Sequence, residues 1–420
     1  MNGMLIHRAR LLTLAGPSGP RRGRDLRDLG VIPHGWIRLD RERIADIGTG
    51  DPPPHLLQRA GAIIDARHRV VMPAFVDCHT HACWAGDRLD EFEMKIAGTD
   101  YLDILRAGGG IMSTVRAVRQ AAQHELAESL LHRLERMAHM GTATVEVKSG
   151  YGLTPEDEIK MLRAIREAAS RTPLRVIPTF LGAHAIDRDR PDFVEETINV
   201  TLRAAAQEFP GITADAFCEE GAWSLDETRR YFEEAAALGC PIRVHADQFH
   251  SLGAARLAVD MGAVSVDHLE ATTPRDLEML ARSGTMAVAL PGCGFHLNGR
   301  YAPARALVDA GGALAIATNC NPGSSPTSSM PFIIALACRH LRLAPAEAIT
   351  AATYNAACVL RLDDEVGSLE PGKRADIQIL DATDERELAF EVAAPGPRVV
   401  IVDGHLILDR FDDACAVEPG

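Results

Sequence analysis

From Val70 onward, short β-branched runs alternate with longer stretches of helical spacing, and that alternation leaves the chain few architectures. Eight strand candidates stand in line: Val70–Asp77, Ala143–Val147, Arg175–Thr179, Thr213–Phe217, Arg243–His245, Ser265–Asp267, Met286–Leu290 and Leu314–Thr318. Between them lies helical text. Thr154-Pro155-Glu156-Asp157 offers an N-cap, a proline at the first helical position and an acid three residues after the cap. Ile159, Leu162 and Ile165 follow at helical spacing. Eight such units predict an α/β fold, a (β/α)8 TIM-type barrel. An open doubly wound sheet is the alternative, but no Gly-x-Gly-x-x-Gly follows an early strand, so dinucleotide binding has no support.

The alternation stops near Val366. Gly367-Ser368-Leu369-Glu370-Pro371-Gly372 reads as a turn, followed by strand text at Ile377–Leu380 and Val399–Val402. The first residues read alike, with strand text at Gly35–Leu39 and Arg43–Ile47. The expected organisation is therefore a composite β-sandwich from residues 1–65 and 366–420, with the barrel, 66–365, inserted between its halves. The Arg-rich start (Arg8, Arg10, Arg21, Arg22, Arg24, Arg27) has the look of a transit peptide but runs straight into strand text, so it is read as folded. A net charge of −14 argues against a nucleic-acid partner, and no run of 18 apolar residues argues for a membrane span. The nine cysteines are scattered, odd in number and without a Cys-x-x-Cys pair, which points to a reducing, cytoplasmic compartment.

Active sites of such barrels lie at the C-terminal ends of the strands. The first strand ends in Asp77-Cys78-His79-Thr80-His81, where two histidines two residues apart on extended backbone face the same way. The fifth strand ends in His245, the sixth in His268 and the eighth in Asn319. One strand histidine is ordinarily packing. Four at matching strand ends point to a metal. Cys293 and Cys320 lie in neighbouring loops and read first as packing, with metal ligation or nucleophilic chemistry as the alternative.

This pattern resembles the amidohydrolase superfamily. Within it, the chain is similar to the imidazolonepropionase family. The likeness is carried by Phe75–His81, Gly86–Phe92, Arg106–Ile111, Val147–Leu153, Thr179–His184, His245-Ala246-Asp247, Asn321–Ser324 and Ser329-Met330-Pro331, in order along nearly the whole chain. The resemblance implies His79, His81 and His245 as ligands of one divalent metal ion, zinc first and iron second. It implies His268 as a water-orienting histidine. Arg88, Tyr101, Tyr151 and His184 would hold a small substrate's carboxylate arm and ring, with Asn321, Gly323 and Ser324 gripping the ring edge. A guanidinium suits a planar carboxylate through two parallel hydrogen bonds. A homodimer is also implied.

Two positions depart from the family. Asn319 stands where the resemblance calls for Asp, and Gln248 where it calls for Glu. An amide takes no proton at neutral pH. His268, with Gln248 and Asn319, would then carry the catalytic work, His268 as the best remaining proton acceptor and Asp247 as a weaker one. The retained clamp and altered proton-handling set lead to an expectation of a modified ring, such as a 2-thioxo-5-oxo-imidazolidine propionate hydrolysed with release of sulfide by a desulfhydrase. The alternatives are ring opening of 4-imidazolone-5-propionate to N-formimino-glutamate in histidine degradation, and a non-catalytic protein that kept metal and ligand binding. A deaminase on the same fold ranks lower, because it needs an acid near Gln248.

Overall fold

The computed structural model describes residues 3–99, 109–297 and 299–411. Five strands open the chain: β1 (Met4–Leu12), β2 (Val31–Asp40), β3 (Arg43–Thr49), β4 (Ala62–Asp65) and β5 (Val70–Pro73). Eight follow in the central region: β6 (Phe75–Asp77), β7 (Thr142–Lys148), β8 (Arg175–Ala183), β9 (Thr213–Cys218), β10 (Ile242–Ala246), β11 (Ser265–His268), β12 (Met286–Ala289) and β13 (Leu314–Ile316). The chain closes with β14 (Ile377–Ile379), β15 (Val399–Val402) and β16 (His405–Asp409).

Strands β6 to β13 pair in sequence order and in parallel. The two ends of that sheet are tied where β6 meets β13. Thr318 donates from its backbone and its hydroxyl to the Asp77 carboxylate, at 3.0 and 2.5 Å, and the Asn319 N–H donates to the His79 carbonyl at 3.0 Å. The sheet is thereby a barrel, walled outside by helices such as Gln123–His139 and Pro155–Ala169. The latter begins as its sequence predicts: Thr154 accepts from the Asp157 N–H, with Pro155 at the first position. The barrel strands are buried on both faces, which explains their near-continuous apolar text.

Both chain ends build the second sheet, in the order β16-β15-β14-β5-β1-β2-β3, with β4 beside β1. A bridge between Arg43, at the start of β3, and Arg374, just before β14, brings its far edge back to its middle. Ile37, Leu39, Ile44, Val71, Ile377 and Ile401 are buried together inside. The sheet takes in β5, beyond the boundary expected at residue 65. The single strand expected over Val70–Asp77 is two strands, because at Ala74 the chain changes sheets. The Ala74 N–H donates to Asp376, and the Phe75 N–H donates to Gly141 beside the barrel. Pro73, with no N–H to give, sits at the switch. The Arg-rich start is folded into this frame: Arg10 makes two hydrogen bonds to Glu385, and Arg27 reaches the buried Glu347. Among the described residues no helix is long and apolar enough to cross a membrane.

Candidate metal centre and active site

The strand ends deliver the expected histidines to one place. His79 donates from Nδ1 to Asp267 Oδ2 at 2.6 Å, and His245 from Nδ1 to Asp215 Oδ1 at 3.1 Å. A carboxylate only accepts, so each Nδ1 carries the proton and each Nε2 presents a lone pair. The His245 Nε2 lies 3.1 Å from the Nε2 of His81. Ligand atoms of His79, His245 and His268 all lie within 4.8 Å of one another. His79 Nε2 and Asn319 Oδ1 are buried with no hydrogen-bond partner. Burial, joined by neighbouring cations and rings, holds His79 and His81 well below the usual imidazole range. Burial also lowers His245, against the pull of Asp215. Neutral rings, converging lone pairs and a stranded amide oxygen are the donor set of a divalent ion, so the residues fit the metal that the resemblance implies.

Behind the histidines lies a charge network that sequence reasoning missed. Lys148 Nζ donates to Glu146 at 2.6 Å and Asp215 at 2.8 Å, while Arg243 reaches Glu146 at 2.8 Å and Asp267 at 2.6 Å. All five side chains are essentially inaccessible to solvent. The network runs from His79 to His245 through three carboxylates and two cations, so it formally carries one net negative charge behind the histidine rings. Its sequence signal was present: Glu146 and Lys148, Arg243 and His245, and Ser265 and Asp267 are each two residues apart on a strand and therefore share its inner face. Asp267→Asn should lower metal affinity about 10–100-fold, because it frees the His79 ring that Asp267 orients. Competition with a chromophoric chelator measures this.

Strained backbone marks the same strand ends. Asp247, His268 and Asn319 have φ of 56°, 86° and 51°. Asp and Asn tolerate that region; a histidine there is held by its surroundings. His268 turns its Nδ1 to Glu270 Oε1 at 3.3 Å. Burial opposes a charged His268 ring, but Glu270 and Cys293 outweigh it and push the ring up to about 10. In the metal-free protein the ring is thus a proton donor at neutral pH, where sequence reasoning assigned it the part of acceptor. Burial raises Asp247 to about 6, with Oδ2 accepting from the Thr272 hydroxyl at 2.8 Å. Gln248 Nε2 donates to Cys293 Sγ at 3.3 Å.

A cavity of about 220 Å³ opens over these groups and is lined by His81, Arg88, Tyr151, His184, His245, Gln248, His268, Asn319, Asn321, Gly323 and Ser324. Tyr101 lies outside the described residues. The other sequence-predicted site residues are brought together there, except His79, which lies deeper. His184 donates from Nδ1 to the Gly150 carbonyl at 2.9 Å. Burial holds it down to about 3, so its Nε2 is an acceptor. Asn321 is a loop organiser: its Oδ1 accepts from the backbone N–H groups of Gly323 and Ser324 at 2.8 and 2.7 Å. Arg88 is held by Glu91, with Nε donating at 2.6 Å and Nη2 closer still. Its ion-pair partner is Glu91 rather than the neighbouring Asp87 or Asp90. Burial works against the Glu91 charge, but Lys95, the Gly110 N–H and Arg88 together keep it below the ordinary carboxylate range. A Cβ added at Gly323 would lie 3.4 Å from Arg88 Nη1, so that nitrogen faces the Asn321–Ser324 loop.

Acid should dismantle the site. His79, His81, His184 and His245 are held below 6.5 in the folded chain. The unfolded chain binds more protons below 6.5, so stability present above that pH is lost as pH falls. Each histidine contributes a slope of up to about 1.4 kcal/mol per pH unit in that window. Asp77 and Asp247, raised by burial to about 7 and about 6, and His268, raised to about 10, pull the other way, but the four histidines outnumber them, so the denaturant midpoint of metal-free protein should be higher at pH 7.5 than at pH 5.

Fold and site together define a metallohydrolase of the amidohydrolase kind. Residues 70–407 match the model of the amidohydrolase family. The imidazolonepropionase of Symbiobacterium thermophilum is 45% identical over 416 residues, 97% of each chain. That of Geobacillus thermodenitrificans is 39% identical, over 98% of this chain and 99% of its own. The solved 5-methylcytosine deaminase of Klebsiella pneumoniae superposes with a TM-score of 0.74 at 18% identity, over 99% of this chain and 100% of that one, and shares the fold. The chain belongs to the imidazolonepropionase family of the amidohydrolase superfamily.

Proposed function

We propose that the enzyme hydrolyses a five-membered imidazolone-type ring bearing a propionate arm, and that ring opening of 4-imidazolone-5-propionate to N-formimino-glutamate is the reaction. The near-full-length identity to proteins of that activity carries this reading, and it favours ring opening over the modified ring. When bound at His79, His81 and His245, a divalent ion, zinc first among candidates, supplies Lewis acidity and a nucleophile at neutral pH. Asn319, with its free Oδ1, orients groups at that position. His268, with one ring nitrogen turned to Glu270, offers the N–H of the other to the leaving nitrogen as a hydrogen-bond donor. His184 Nε2 accepts from a ring N–H, Tyr151 walls the slot, and Arg88 Nη1 with the Asn321–Ser324 loop takes the carboxylate. We place the enzyme in the cytoplasm as a homodimer.

Arg88→Met should raise KM about 10–100-fold with a smaller effect on kcat, because a charge-assisted bond to the carboxylate is lost from ground and transition state alike. Steady-state kinetics checks this; an unchanged KM assigns the carboxylate elsewhere.

A second reading rests on the amides. Asn319 and Gln248 leave both positions without a carboxylate, and Gln248 already donates to a sulfur, that of Cys293. The same geometry suits a 2-thioxo-5-oxo-imidazolidine propionate, whose soft thiocarbonyl is compatible with zinc and whose hydrosulfide leaves with less acid assistance. Sulfide release from that ring, without ring opening of the imidazolone, would establish it.

A further inference from the structure

We infer that His268, Glu270 and Cys293 form a second divalent-metal site beside the first. One ligand atom from each lies within 4.8 Å of the others. Tetrahedral zinc, with bonds of about 2.0–2.3 Å, sets its donors about 3.3–3.8 Å apart, so the side chains need close in only slightly. The Glu270 side chain is 5% exposed, and its Oε2 is buried with no hydrogen-bond partner. A stranded carboxylate oxygen is costly unless something cationic meets it. Arg300, the cation bordering the same small cavity, donates from Nη1 to the Phe249 carbonyl at 2.9 Å. Cys293 is buried in the helix Pro291–His296, which follows β12, with its Sγ within reach of this cluster.

The donors suit the chemistry. Thiolate, imidazole and carboxylate together favour zinc or cobalt over calcium or magnesium. Gln248 fits as well: its Nε2–H donates to Cys293 Sγ, where a glutamate would set a second negative charge against a thiolate. The amide at 248, a departure when the first site is considered alone, is what the sulfur of a second site requires.

The site rests on donor geometry alone and holds whichever ring the enzyme opens. Metal-stripped full-length protein titrated with Co²⁺ tests it. The wild type should bind two equivalents, the second bringing sulfur-to-cobalt charge-transfer absorption in the near ultraviolet. Cys293→Ser should abolish that band and keep the first equivalent. Glu270→Gln, which touches no sulfur, should weaken the second equivalent at least ten-fold while the band returns at high cobalt. Saturation of the wild type at one equivalent, a band that survives Cys293→Ser, or a second equivalent indifferent to Glu270→Gln overturns the assignment.

Discussion

Asn319→Asp combined with Gln248→Glu raises the turnover of 4-imidazolone-5-propionate by about 10²–10⁴-fold, the range that a positioned general acid or base contributes. Asn319 Oδ1 is buried without a partner beside the histidines, so a carboxylate there needs no new space. At 248 a carboxylate would restore a group able to carry protons beside the ring, at the cost of the hydrogen bond to Cys293. Each single change should give a smaller gain than the pair. The measurement is kcat at saturating metal, followed by loss of the imidazolone chromophore. A pair whose kcat and substrate preference match the wild type would mean that these two positions do not set the chemistry.

The opposite effect is expected from His245→Ala. The bound metal should fall to background, and kcat/KM should drop by roughly 10³-fold or more, because several kcal/mol of transition-state charge stabilisation go with the ion. The substitution also leaves Asp215 with Lys148 as its remaining strong partner at the barrel floor. Metal content by atomic spectroscopy and circular dichroism, read on the same sample, separate loss of the ion from loss of the fold. Full activity in a folded, metal-free variant would remove His245 from the site.

Much of this was legible in the residues. The strand-end histidines were found because HxH and lone histidines stand out in apolar text, and the structure sets His79, His245 and His268 side by side. The barrel followed from the alternation, since each strand is buried on both faces and must be short and apolar. What escaped was pairing. Glu146 and Lys148 pair locally on one strand, but nothing local joins them to Asp215, Arg243 and Asp267, whose partners come from different strands, up to 97 residues apart. Arg88 was found as a pocket residue, yet its hold on Glu91 was missed, because helical spacing from 88 to 91 becomes visible only once the helix Leu89–Ile96 is drawn. The split of Val70–Asp77 at Ala74 was hidden for a similar reason. The run is uniformly apolar, and only long-range backbone bonds to Asp376 and Gly141 divide it.

The proposed reaction needs a metal ion at His79, His81 and His245 and an imidazolone-type ring held by its propionate. Its most direct test is a parallel assay of stripped and metal-reloaded enzyme on 4-imidazolone-5-propionate and on the 2-thioxo-5-oxo-imidazolidine propionate. Activity on at least one ring should appear on reloading, vanish on chelation, and fall steeply when the propionate arm is replaced by a neutral chain. Metal-loaded, folded enzyme that turns over neither ring, or that works equally well without the carboxylate, rules this reaction out.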